Sequence, residues 1–378
     1  SFMIGVGATW EIDVWGRLRD RQSAALADVQ ASLATYRGAR LSLAARTATA
    51  WFRAIEARQQ LELATNTYES FNIATEAIRG RYDRGVSPAL DLRLSLAQTP
   101  AAKSVMDNRG RDFDAAVREL EVLLGRYPAK ELDVTDELPA IVRPVPVGLP
   151  SELLERRPDL IVAERNLAAS GKRVSEARKA MLPRISLTGS YGYSSPQLED
   201  VLTNSFSVWS LAANAVQPIF QGLRLSAAVD RAKAVATERL AVYGQTALNA
   251  FREVETALAA EEFLDQSVVN LNESATQSIA AEDAAWERYQ RGLTDIITVL
   301  DSQRRAFESR QALISARTNR LVNRVNLYLA LGGDFESAGP LDEADVDAPF
   351  GPEKITLPGK VALQKEATLD DKAENGES

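Results

Sequence analysis

The sequence predicts a mainly α-helical fold with a small β part, built as a tandem internal repeat. Two observations predict the helices: Arg17 to Tyr82 and Leu223 to Tyr289 contain no proline and are rich in Ala, Leu, Arg, Gln and Glu. A third predicts the repeat. Arg81-Tyr82-Asp83-Arg84-Gly85 recurs as Arg288-Tyr289-Gln290-Arg291-Gly292, an offset of 207 residues. The same offset aligns Thr49-Ala50 with Thr256-Ala257 and Tyr36 with Tyr243, and an offset of 206 aligns Gly16 with Gly222. Each copy reads as a strand, a very long helix, a tight elbow and a second helix.

A helix of about 65 residues is roughly 100 Å long at 1.5 Å per residue, far more than a globular core needs. The return helix of the second copy carries Leu300, Phe307, Ile314, Leu321 and Tyr328 at heptad spacing. That spacing predicts a left-handed seam against neighbouring helices. Gly85 and Gly292 supply the left-handed backbone at which one rod ends and the next begins.

The β part rests on three alternating segments. Ile4, Val6, Ala8, Trp10, Ile12 and Val14 alternate with Gly5, Gly7, Thr9, Glu11 and Asp13. Ile185, Leu187, Gly189, Tyr191 and Tyr193 alternate with serine, threonine and glycine, and Trp209, Leu211, Ala213 and Ala215 form a weaker third case running into Pro218. Each is about ten residues long, the length of a tilted strand crossing a bilayer. The second copy has a strand pair joined across Ser195 to Asn204, the first only one strand. Repeat symmetry therefore predicts a further strand upstream of Ser1, with a helix matching Leu153 to Met181, in a longer natural chain. Glu11 and Asp13 are expected to lie on the polar strand face and to meet water in the lumen or at the barrel–helix junction.

Composition narrows the chemistry. The chain has no cysteine and no histidine, which removes thiolate and Ser-His-Asp nucleophiles, disulfides and the usual zinc ligands. The net charge of −8 resides in the stretch from Asp334 to Ser378, where 12 Asp/Glu face 4 Lys. The rest is close to neutral, so nothing points to nucleic acid. An enzyme is not expected, and no cofactor or metal is called for.

Four stretches carry a family resemblance: Trp10 to Arg17, Leu149 to Asp159, Leu182 to Gly189, and Arg288 to Gly292 leading to Val299-Leu300-Asp301-Ser302-Gln303-Arg304. The chain resembles the TolC-like outer-membrane factors, specifically the efflux lipoprotein branch serving resistance-nodulation-division pumps. The resemblance implies a homotrimer in the outer membrane and its lipid. Each subunit would give four strands to a 12-stranded barrel and long helical hairpins to a periplasmic α-barrel. It implies docking of a periplasmic adaptor protein and an inner-membrane pump. Members of that branch carry a lipidated N-terminal cysteine, absent from this sequence.

On this reading residues 1–15 are a membrane strand, 16–125 the first periplasmic hairpin, and 126–182 an equatorial linker with helices. Residues 183–220 are a membrane strand pair, 221–332 the second hairpin, and 333–378 an acidic, flexible tail. Asp301 matches the family's constricting ring of carboxylates, and Arg304 stands where it can pair with it. Asp91 and Tyr289 match gate-linking residues, while Thr294 replaces an arginine that strengthens the latch in some relatives. The elbows Arg84, Gly85, Val86 and Arg291, Gly292, Leu293 match the adaptor-docking tip.

The plainer alternatives stand beside these roles. Asp301 can be a solvated carboxylate paired with Arg304 or Arg305 at helical spacing. Tyr82 and Tyr289 can be packing residues near a helix end, and the elbows can simply terminate helices. A type I secretion duct or a soluble coiled-coil scaffold are the competing whole-protein readings.

Overall fold

The computed structural model describes residues 2–141, 156–197 and 207–333. The acidic tail, the first part of the Leu149 to Asp159 stretch and most of the link between the paired strands lie outside them. The elements run β1 Phe2–Ile12, α1 Arg17–Asp83, α2 Ala89–Leu123, α3 Pro158–Lys179, β2 Arg184–Ser195, β3 Ser207–Val216, α4 Arg224–Gln290 and α5 Ile296–Ala330. The repeat is metrically faithful: α1 and α4 are each 67 residues long, and α2 and α5 are each 35. None of the described helices is long and apolar enough to cross a membrane.

All four hairpin helices end in the same way. Gly85, Gly125, Gly292 and Gly332 take positive φ, and the following residue's N–H returns to a carbonyl five residues back, as in Val86 to Arg81 and Leu293 to Arg288, both 2.9 Å. This 6→1 closure satisfies carbonyls that a helix end leaves open, and glycine alone reaches it without a Cβ penalty.

The strands form one antiparallel sheet in the order β1-β2-β3. Val6 faces Tyr191, which faces Trp209; Trp10 faces Leu187, which faces Ala213. The register therefore gathers the apolar side chains on one face. Thr9 and Thr188 meet on the other, as do Ser190 and Ser210, whose hydroxyls are 2.8 Å apart. Val6 and Trp209 are 79% and 73% exposed, so none of the described residues covers the apolar face.

One expectation changes at the end of β1. The strand stops at Ile12, so Val14 does not belong to it. Asp13 and Glu11 lie at the junction of sheet and helix. Asp13 accepts the backbone N–H groups of Leu18 (3.0 Å) and Arg19 (2.9 Å), and Glu11 pairs with Arg17 at 2.8 Å. Helix starts leave N–H groups unpaired, and here a carboxylate three residues upstream of Gly16 takes two of them. Trp15 closes the junction by donating Nε1–H to the Pro183 carbonyl at 2.8 Å.

Beyond the junction, α1 lies against α3. Ala24, Ala27, Ala31 and Ala34 are buried at heptad-like spacing, and Asp20 pairs with Lys179 (2.5 Å) and Asp28 with Arg173 beside them. Small residues let the helices approach closely. Farther along, α1 pairs with α2 and α4 with α5, and α1 also touches α5.

The heptad of α5 is present, but in a different phase. Ile296, Val299, Gln303 and Ala306 are the buried positions of its first half and Ala316, Thr318, Leu321, Leu327 and Ala330 those of its second, so of the predicted stripe only Leu321 is buried. Leu300 and Phe307 instead line a groove of about 190 Å³ with Phe71 and Val105. Because α5 packs on both α4 and α1, the buried stripe falls between two seams rather than on one.

The helix-start carboxylate yields a direct prediction. Asp13→Ala will speed hydrogen exchange at the Leu18 and Arg19 amides while leaving the middle of α1 protected; unchanged exchange at both amides would contradict the capping role.

Candidate functional site at the paired elbows

The equal rods bring both elbows to one level, where a small apolar core forms. Ile78 of α1, Ala285 and Tyr289 of α4, and Ile296 and Val299 of α5 are buried there, with Leu92 and Leu94 of α2 packed against them. Tyr289 is 4% exposed, stacked on Trp286 with centroids 5.9 Å apart. Its hydroxyl donates to Asp91 Oδ2 at 2.9 Å and lies 3.4 Å from Ser87 Oγ. Arg81 completes the group. Its guanidinium sits 5.3 Å from the Tyr289 ring centroid, Nε donates to Ser87 and Nη1 to the Gln290 carbonyl at 3.0 Å.

This is a hydrogen bond between hairpins, accepted by a carboxylate in a water-poor place. Burial, then the Asp91 carboxylate, push the Tyr289 hydroxyl above its ordinary pKa, so it remains a proton donor throughout the physiological range. The structure thus joins Asp91 and Tyr289, two sequence-predicted residues 198 apart. Sequence reasoning missed Ser87, Arg81 and Trp286.

Asp301 stands apart from this cluster. It pairs with Arg305 at 2.8 Å and Arg304 at 2.7 Å, on one exposed helix face. Those partners, Arg305 first, hold its carboxyl below the usual range, so it is ionised at neutral pH. Arg304 reaches Glu308 as well, at 2.9 Å. Thr294 lies in the turn before Asp295, whose side chain caps α5 by accepting the Thr298 N–H at 2.9 Å. At the elbow tips Val86 and Leu293 are 61% and 62% exposed. Leu90 and Ile297, related by the same offset of 207, are also exposed. Arg84 is exposed, and Arg291 pairs with Glu287.

A second polar node sits at the start of α3. Arg157 is buried, donating to Asp159 (2.7 Å), Glu253 of α4 (2.8 Å) and the Ala330 carbonyl ending α5 (3.0 Å). Burial alone would raise the Asp159 pKa, but the Arg157 guanidinium and the Leu160 amide outweigh it and hold it low. Among the described residues no acidic cluster is arranged to hold a metal ion.

A sheet with one apolar face, carried on rods of about 100 Å whose elbows are bonded together, defines a membrane-anchored channel of helical hairpins. Residues 1–126 and 149–333 match the family described as outer membrane efflux protein. Outer membrane protein OprJ of Pseudomonas aeruginosa is 33% identical over 344 residues, 90% of this chain and 72% of that protein. The solvent efflux pump outer membrane protein SrpC of Pseudomonas putida is 32% identical over 336 residues, 89% of this chain and 72% of that protein. A solved membrane protein from Pseudomonas aeruginosa matches with a TM-score of 0.84 at 30% identity, over 89% of this chain and 82% of its own. The chain belongs to the outer membrane efflux protein family, the TolC-like outer-membrane factors, and its place is the outer membrane.

Two predictions follow from the geometry. At Gly85 and Gly292, with φ of +72° and +73°, an added Cβ would meet nothing within 4 Å. Gly85→Ala or Gly292→Ala should therefore cost only torsional strain, about 1–2 kcal/mol each, read as a lowered unfolding midpoint with unaltered helix content. A loss far above that range would mean that the elbows carry contacts besides the turn.

At the α3 node, Arg157→Met should destabilise by about 1–3 kcal/mol, moderated because Asp159 and Glu253 keep part of their hydration. A carboxylate with a lowered folded pKa contributes stability above its unfolded pKa and loses it as pH falls through the folded value. Proteolysis near Arg157 should thus increase as pH drops below the ordinary aspartate range, and Arg157→Met should remove that dependence. An identical acid response in the variant counts against the pair.

Proposed function

We propose that this chain is one subunit of a homotrimeric outer-membrane channel in a tripartite efflux system, passing small molecules from an inner-membrane pump and its adaptor. The observation that carries the reading is the buried Tyr289–Asp91 bond between the two elbows. A duct requires no covalent chemistry, but it requires an end that closes. A buried bond at the far end of the rods, set beside the Ile78–Val299 core where the hairpins also meet, serves as a releasable tie.

Further features support the assembly. The apolar sheet face is exposed in the single chain and suits lipid. Strands β1 and β3 are the two edges of the described sheet, available to continue a barrel through neighbouring subunits. We assign residues 1–15 and 183–220 to the membrane, 16–125 and 221–332 to the periplasmic hairpins, and 126–182 to an equatorial belt. The matched exposed apolar residues Val86, Leu90, Leu293 and Ile297 give the adaptor two equivalent footholds per subunit.

Asp301 is the proposed ring carboxylate. Its ion pairs with Arg304 and Arg305 offset part of its charge, so closure near a threefold axis costs less repulsion than bare carboxylates would. Thr294 cannot supply a cation to the tie, which leaves closure to Tyr289, Asp91 and Arg81. The relative SrpC is named for solvent efflux; small apolar molecules are accordingly the first cargo to test.

The test is conductance in planar bilayers. Tyr289→Phe removes a hydrogen bond to a carboxylate worth about 1.5–3 kcal/mol, so the open fraction should rise roughly ten- to a hundredfold while the chain remains assembled. Asp301→Ala should raise conductance or leak by a separate route, because the shorter side chain widens the constriction. Wild-type conductance in Tyr289→Phe would sink the tie, and wild-type conductance in Asp301→Ala would remove that residue from the constriction.

A further inference from the structure

The two elbows are equivalent in sequence but not in surroundings. Tyr289 is 4% exposed, whereas its repeat mate Tyr82 is 41% exposed. Inside the chain, the contact uses Arg81, Ser87 and Asp91 of the first copy and Tyr289 and Gln290 of the second. Shifting each by 207 and exchanging the copies gives Arg288, Thr294 and Thr298 facing Tyr82 and Asp83. Among the described residues, the side chains of Tyr82, Asp83 and Arg288 have no hydrogen bond or ion pair, and all three are largely exposed or half-exposed.

We infer that this second set is completed by another copy of the chain: Tyr82 and Asp83 of one subunit dock against Arg288, Thr294 and Thr298 of the next. The inference rests on the trimeric reading and goes beyond it by naming the seam between subunits. A ring of tandem repeats presents each hairpin to two neighbours, one in its own chain and one in the adjacent copy. The contact seen within the chain is the template for the one between chains.

Charge complementarity supports the pairing independently. In the internal contact Arg81 donates to the main-chain oxygen of Gln290, a neutral residue. At the shifted position stands Asp83, so Arg288 gains a carboxylate as well as a carbonyl. The acceptor of the tyrosine changes in the opposite direction. Asp91 is replaced by Thr298, whose hydroxyl already donates to Asp295 Oδ1 at 2.7 Å and keeps lone pairs for the Tyr82 hydroxyl. The internal tie is thus a buried bond to a charge, and the seam between copies an exposed ion pair with neutral hydroxyl bonds. The seam is the weaker of the two and the first to part when the tip opens.

The sequence contains no cysteine, which makes the test clean. Tyr82→Cys on one chain and Thr298→Cys on another, co-assembled as full chains, should give covalent dimers on oxidation that dissolve on reduction; with one cysteine per chain, a link between these two positions forms only between copies. Asp83→Arg or Arg288→Asp alone should raise the open fraction by about two- to fivefold, the range of an exposed ion pair. The double reversal should restore it. Light scattering separates the two ways of failing. A monomeric wild type overturns the trimeric reading and this seam together. A trimer that neither cross-links through these cysteines nor recovers in the double reversal overturns the seam alone.

Discussion

Everything at the tip depends on two rods of equal length. α1 and α4 each run 67 residues from just after a single glycine, Gly16 or Gly222, to a glycine stop. An α-helix advances 1.5 Å and turns 100° per residue, so one extra residue in either rod would lift one elbow and swing its side chains to another face. Tyr289 could not then meet Asp91. The duplication solves this by copying the length along with the sequence, and the return helices repeat the match at 35 residues each.

Length matching also sets where the energy lies. Long stretches of the rods bury mainly alanine, as at Ala24, Ala27, Ala31 and Ala34, and alanine contributes little apolar area per residue. Larger side chains concentrate in three places: around Ile55 and Leu120, around Leu327, and at the elbows around Ile78 and Tyr289. Only the last of these joins α2 to α4. Rods that are individually stiff and laterally sparse can separate at one end without unfolding, which is the property a closable duct needs.

Much of this was legible from residues alone. The rods, the elbows and the strand faces follow from period and composition, because each depends on neighbours within a few positions. The family resemblance rather than the pattern singled out Tyr289 and Asp91. What escaped were partners brought together from afar. Glu253 and the Ala330 carbonyl reach Arg157 from 96 and 173 positions away. Glu121, a buried carboxylate that accepts the backbone N–H groups of Lys130, Glu131 and Leu132, looks like any helical glutamate in the sequence. The phase of the α5 heptad was also hidden, since a stripe bordering two seams has the same period as one lying on a seam. The offset of 207 also relates Leu90 to Ile297, a pattern that places them beside Val86 and Leu293.

The central claim, that a buried tyrosine–carboxylate bond holds the two elbows of one subunit together, is tested most directly by distance. Spin labels on cysteines placed at Val86 and Leu293 would be the sole labels in a chain otherwise free of cysteine. With labelled subunits diluted among unlabelled ones, electron–electron resonance should give one narrow distance distribution. Tyr289→Phe should broaden it and move it outward. An unchanged narrow distribution in that variant would contradict the account.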